Sequence, residues 1–253
     1  METVPIIGYS DKLSGRPGDR INFMVSSAHK ADFTVQLFRS INADPNPKGQ
    51  GIVEYACDDL FTKQSFPSRN QKFYPGSFGI TEEPLAITAS DKLSFSVTIY
   101  PTLKTHNPQS LIEFGQFCIT LNSDGHVSLI FGSKTVTTLD AVSLRRWHRI
   151  EAQINKKGLM SIELINLDNS KGYQPAVIQF DEDVDLNEKA RVVIAARRVA
   201  GLTKNYFNGK IEKPQICADA KTTAFWDFSK NISSLSVPGV GCPDLMLKNA
   251  PTR

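Results

Sequence analysis

The side chains that could do chemistry in this chain are few and scattered. Its four histidines are His29, His106, His126 and His148. A Ser-His-Asp hydrolase needs its serine on a sharp elbow, and no Gly-x-Ser-x-Gly occurs. The histidines therefore read as strand-end and loop residues. The run Asp181-Glu182-Asp183-Val184-Asp185 raises the question of calcium. An EF-hand loop starting at Asp181 would need glycine sixth and glutamate twelfth, where Leu186 and Val192 stand. A looser carboxylate site for Ca²⁺ stays open beside the plainer reading, a solvated turn. Glycoside cleavage needs two carboxylates flanking a groove. Glu151 and Glu163 lie on adjacent strand patterns, with nothing in the sequence to separate them from solvent-face residues. Tyr100, Trp147 and Trp226 could stack on sugar rings. Both tryptophans open or sit inside apolar strands, however, so core packing is expected. No catalytic, cofactor-binding or metal-ligating residue is assigned.

The cysteines Cys57, Cys118, Cys217 and Cys242 are spaced by 61, 99 and 25 residues, which gives no CxxC or Cys/His metal signature. Cys118 and Cys217 fall in strand patterns and read as buried free thiols. The start of the chain has an early acid, Glu2, and no apolar core of the kind a secretory leader carries. A reducing, cytoplasmic setting is the expectation, in which the sequon Asn231-Ile232-Ser233 has no role. No stretch reaches the ~20 apolar residues of a membrane span. Net charge is +3, and the basic pairs Arg145-Arg146 and Arg197-Arg198 are too short for a phosphate track, so nucleic acid is not an expected partner.

The elements that must position these residues are strands. Leu93, Phe95, Val97 and Ile99 alternate with polar residues, the period of a half-buried strand. Similar signals mark 72–80, 84–88, 110–114, 116–122, 126–131, 134–139, 147–155, 159–165, 176–180, 190–196, 206–212 and 224–228. Asn122-Ser123-Asp124-Gly125 and Lys156-Lys157-Gly158 read as hairpin turns. The polar segment 102–109 reads as an exposed loop suited to a ligand or partner. In 206–212, Gly209 marks a bend or close approach, and Pro214 is expected to end the ladder. Ahead of these, residues 4–9, 21–25 and 33–37 suggest a small β unit, followed by a turn-rich loop at 42–51 that marks the weak boundary. Residues 52–70 read as an ordered crossover, and the stretch after 228 as a tail rich in glycine and proline. No segment shows convincing helical periodicity, so a sandwich or barrel is predicted.

Two resemblances sharpen this. Residues 95–100, 119–131, 147–152, 159–164 and 207–211 resemble, in order and spacing, a jelly-roll sandwich of the LamG or concanavalin-A-like kind. Gly8-Tyr9-Ser10-Asp11, Ser14, Pro17-Gly18-Asp19, Phe38-Arg39, residues 44–49, Phe225-Trp226-Asp227-Phe228-Ser229 and residues 247–253 resemble the large (beta) subunit of N,N-dimethylformamidase. The resemblance implies an all-β, antiparallel chain with a small N-terminal β unit at 1–41 packed on a jelly-roll domain at 52–253. It implies that residues 249–253 lead into a further, catalytic half, where tyrosines and a glutamate hold iron and hydrolyse a linear amide. No position here matches those ligands. The chain is then a non-catalytic module for assembly or substrate access. Its expected partners are its own catalytic half and a small subunit or second copy. A free-standing lectin-like module that binds a glycan is the alternative.

Overall fold

The computed structural model describes residues 5–12, 14–44, 46, 48–71, 76–168, 171–172, 174–230 and 235–249. The sequon, the closing residues 250–253, the start of the 72–80 signal, and Pro45 and Pro47 lie outside that set. The chain divides into two compact units, Met1–Phe73 and Tyr74–Arg253. Among the described residues all regular elements are strands.

The first unit holds three antiparallel pairs. β1 (Ile6–Ser10) pairs with β2 (Phe23–Ser27), β3 (Phe33–Val35) with β6 (Gln64–Phe66), and β4 (Phe38–Ala43) with β5 (Ile52–Ala56). The turn-rich loop read as a boundary is the connection of the β4–β5 hairpin, and residues 52–70 belong to this unit. Ser27 is the one buried residue of the unit among those described. It is held by polar contacts: its N–H donates to Arg69 O at 3.0 Å, and Ser68 Oγ donates to Ser27 Oγ at 2.8 Å. Phe33 and Phe66 stack at 5.8 Å.

The second unit is an antiparallel jelly-roll sandwich. In chain order it contains β7 (Phe78–Thr81), β8 (Leu85–Ile87), β9 (Lys92–Pro101), β10 (Gln109–Phe114), β11 (Phe117–Leu121), β12 (Val127–Phe131) and β13 (Lys134–Thr137). Next come β14 (His148–Asn155), β15 (Leu159–Asn166), β16 (Lys171–Gly172), β17 (Ala176–Gln179), β18 (Glu188–Ala190), β19 (Val192–Ile194), β20 (Arg197–Val199) and β21 (Leu202–Lys204). The last are β22 (Gly209–Ala218), β23 (Lys221–Trp226), β24 (Ser236–Val237), β25 (Gly239–Val240) and β26 (Leu245–Lys248). One sheet runs β13-β12-β11-β10-β19-β7-β26-β24, and the other β16-β15-β14-β9-β22-β23-β25, with β17 also on β15. The stretch read as a tail therefore contributes three strands, and β26 pairs with β7.

The sheets meet through their alternating apolar residues. Leu93, Phe95, Val97 and Ile99 of β9 are buried, as are Ile150, Ala152 and Ile154 of β14. Across the gap, Phe95 meets Phe117 of β11 at 5.5 Å between ring centroids. Trp226 is wholly buried, and its indole N–H donates to Pro243 O at 3.0 Å. Both predicted tight turns form. Gly125 N–H donates to Asn122 O and Gly158 N–H to Asn155 O, each at 3.0 Å, with positive φ at both glycines.

Pro214 corrects an expectation: it does not end its strand. β22 runs through it because a bulge intervenes. Glu212 faces Thr98 and Gln215 faces Ser96, so Lys213 and Pro214 together oppose Val97 alone. Lys213 takes φ 49°, the left-handed conformation that lets the extra residue fit. The proline has no N–H to withhold from the ladder at a place where the ladder is already interrupted.

Gly209 behaves as its position suggests. A Cβ there would lie 2.3 Å from Tyr100 O and 2.7 Å from the Phe207 ring. Gly209→Val should therefore destabilise the chain by about 2 kcal/mol through overpacking. A thermal melt checks this, and a melting temperature equal to that of the parent chain would refute it.

Candidate functional site

The face of the second sheet that points away from the core carries the polar half of each alternating strand. Register arranges these residues in rows. One row is Gln215, Ser96, Glu151 and Glu163; the next is Cys217, Ser94, Gln153, Ser161 and Val177. Neighbours within a row are ~4.8 Å apart and the rows ~7 Å apart, from strand geometry. The bulge in β22 makes this possible. Had Lys213 and Pro214 run in strict alternation with no bulge, Gln215 and Cys217 would point into the core and Ile216 outward.

Together these rows line a groove of about 440 Å³, with Leu159, Pro175 and Val177 as its apolar side. Glu151 and Glu163 stand directly opposite one another, a like-charge pairing that costs stability. Arg149 relieves one of the two, with Nε 2.8 Å from Glu151 Oε1. Among the described residues, Ser94, Ser96, Gln153, Ser161 and Glu163 have no hydrogen bond from their side chains to protein. Further along the same face, Tyr100 and Trp147 pack at 5.3 Å, with Lys210 Nζ 5.7 Å from the Tyr100 ring. Trp147 is thus half-buried on the outer face, not in the core as its apolar neighbourhood suggested. Cys217 is likewise half-buried at the groove, whereas Cys118 is fully buried and its thiol is pushed up to about 11 by desolvation.

The other candidates disperse. Asp183 pairs with Lys157 and Glu182 with Lys134, while Val184 and Leu186 turn inward. Arg197 and the Arg198 N–H both engage Glu113, at 3.3 and 2.6 Å, and burial pushes that carboxyl up. Arg146 pairs with Asp168. The 102–109 loop is pinned at its end: the Gln109 amide donates to Leu103 O and accepts the Asn208 N–H. His29 and His106 are exposed, and His126 Nδ1 meets Thr138 O at 2.8 Å. Among the described residues no three His, Cys, Asp or Glu side chains come together as metal donors.

His148 is buried at the end of β14. Its Nε2 contacts the Ser143 backbone at 3.1 Å and its Nδ1 has no partner. Burial holds its pKa below the usual imidazole value. The unfolded chain therefore takes up the proton first as pH falls. The stability tied to neutral His148 is present above ~6.5 and lost as pH falls through the lower folded value. Thermal melts from pH 7.5 to 5 should fall more steeply for the parent chain than for His148→Gln. Parallel curves would refute the assignment.

Comparison with known proteins points the same way. Two curated relatives match nearly all of this chain, and both are N,N-dimethylformamidase beta subunits. The one from Paracoccus aminophilus is 25% identical over 94% of this chain, and the one from an Alcaligenes species 26% identical over 94%. The chain spans 37% of the length of each. No family model matches it. Among solved structures, a Bacteroides ovatus protein assigned to carbohydrate binding aligns with a TM-score of 0.53 at 11% identity, covering 91% of this chain and 72% of its own. Domains LG4-5 of the mouse laminin alpha1 chain align with a TM-score of 0.41 at 15% identity, covering 72% of this chain and 49% of theirs. The resemblance to the dimethylformamidase beta subunit thus extends over almost the whole chain, and the fold is an all-β jelly roll.

Proposed function

We propose that this chain is a non-catalytic β-sandwich module of an N,N-dimethylformamidase-like large subunit, serving assembly or substrate access. The observation that carries this reading is the pairing of two coverages: 94% of this chain is matched, but it spans only 37% of the relatives. The amide chemistry then belongs to residues outside this module.

The surface of the first unit supports an assembly role. Phe23, Ile52 and Leu60 are 74%, 71% and 77% exposed, and Tyr9, Phe38, Ile41 and Tyr55 are exposed with them. Exposed apolar side chains in this number suit a surface that another polypeptide covers. The relatives are named as one subunit of an enzyme, which makes a subunit partner or a catalytic half the natural cover.

Two measurements test the reading. Sequencing the gene past the codon for Arg253 should find the frame continuing into a tyrosine- and glutamate-bearing region. The 253-residue chain, purified and incubated with N,N-dimethylformamide and ferrous iron, should show no turnover. One iron per chain with measurable hydrolysis would overturn the proposal. For the surface, Phe23→Ser and Ile52→Ser should leave the stability of the chain within about 0.5 kcal/mol of the parent. They should weaken co-purification with a longer form of the subunit or its small partner. Unchanged co-purification would remove the assembly role from this face.

A further inference from the structure

We infer that the groove on the outer face of the second sheet is a binding site for a neutral polyhydroxylated ligand, an oligosaccharide in its chemical class. The juxtaposition that carries this is a set of unused polar side chains, an apolar side wall and an aromatic pair on one rigid sheet face.

The polar groups come first. Ser94, Ser96, Gln153 and Ser161 can each donate and accept, while Glu163 as a carboxylate only accepts. None is used by the fold among the described residues, although they stand in adjacent rows on paired strands. Hydroxyl-bearing ligands match this mixture, because every hydroxyl both donates and accepts. The charges of the groove balance, Lys92 and Arg149 against Glu151 and Glu163, which suits a neutral ligand better than an anion. A nucleic-acid backbone is disfavoured for the same reason.

Apolar contacts complete the fit. Leu159, Pro175 and Val177 form one wall, against which the C–H face of a sugar ring can lie. Tyr100 lies four residues along β9 from Ser96, ~13 Å on the same face, where it meets Trp147. The polar floor and the aromatic pair are therefore separated by more than one ring, which suits an extended chain of sugars better than a single one. Strands on both sides fix β9, so the side chains are held in place before the ligand arrives.

The like-charge pair gives independent support. An uncompensated carboxylate opposite another costs stability and contributes nothing to the fold. Residues that break a local rule in this way cluster where a surface is used.

This inference does not rest on the amidase-subunit reading, and the two fail in different experiments. The test is calorimetric titration of the 253-residue chain with neutral hexasaccharides: β-1,4- and β-1,3-glucan, α-1,4-glucan, β-1,4-mannan and β-1,4-xylan. At least one should saturate with a Kd of about 1 mM or tighter. Gln153→Ala should keep the parent melting temperature and Glu163→Ala should raise it slightly by relieving the like-charge pair, while each weakens that binding about tenfold. Ser96→Trp, which fills the groove floor, should abolish it. Absence of binding by all five sugars would overturn the proposal. So would binding untouched by the three variants, or saturation of the groove by calcium or spermidine in place of sugar.

Discussion

The alternation of ten residues in β9 is the constraint on which the second sheet depends. Its inner residues, Leu93, Phe95, Val97 and Ile99, are almost completely removed from water, each contributing about 1.5–3 kcal/mol. Its outer residues are Ser94, Ser96, Thr98 and Tyr100, of which Ser94 and Ser96 line the groove. Because β14 and β22 pair along its two edges, every neighbour inherits its phase. A slip of one residue would carry apolar side chains to water and polar ones to the core. The energy that seals the sandwich is thus the same energy that fixes the order of groups on its outer face.

Much of this was legible in the sequence because it is local. The hairpin at Asp124-Gly125, the turn at Gly158 and the alternation of 93–100 each depend on a few adjacent residues. Features set by distant pairing were not legible. Trp147 looked like a core residue because of its apolar neighbours, yet it packs on Tyr100, whose position comes from β9 pairing with β14. Cys217 looked buried for the same reason. Glu151 and Glu163 were visible as strand residues, but only the register of β14 on β15 sets them face to face. The short strands after residue 235 carry almost no periodic signal; a long-range partner, β7, makes β26 a strand.

The two units are stabilised differently. The second buries a continuous apolar core between its sheets. The first relies on backbone pairing and on polar contacts such as those around Ser27, while large apolar side chains stay at its surface. Isolated two-stranded pairs are marginal in water. The first unit is therefore the part of the chain whose order responds most to what lies against it.

The bulge at Lys213 and Pro214 has one more implication. It works as a punctuation mark in the strand: each later residue is read on the opposite face from the one its count would give. Neither side chain is required for that, since any pair of residues able to adopt the bulge would shift the phase by the same step. The property this segment must keep is the conformation in which two residues stand in the place of one. Exchanging Lys213 for another residue able to adopt the bulge alters a surface group, and deleting it would restore strict alternation with every later residue on its present face, but straightening the bulge at constant length would turn Gln215 and Cys217 inward and expel Ile216, inverting the chemistry of that half of β22 without changing one of its letters.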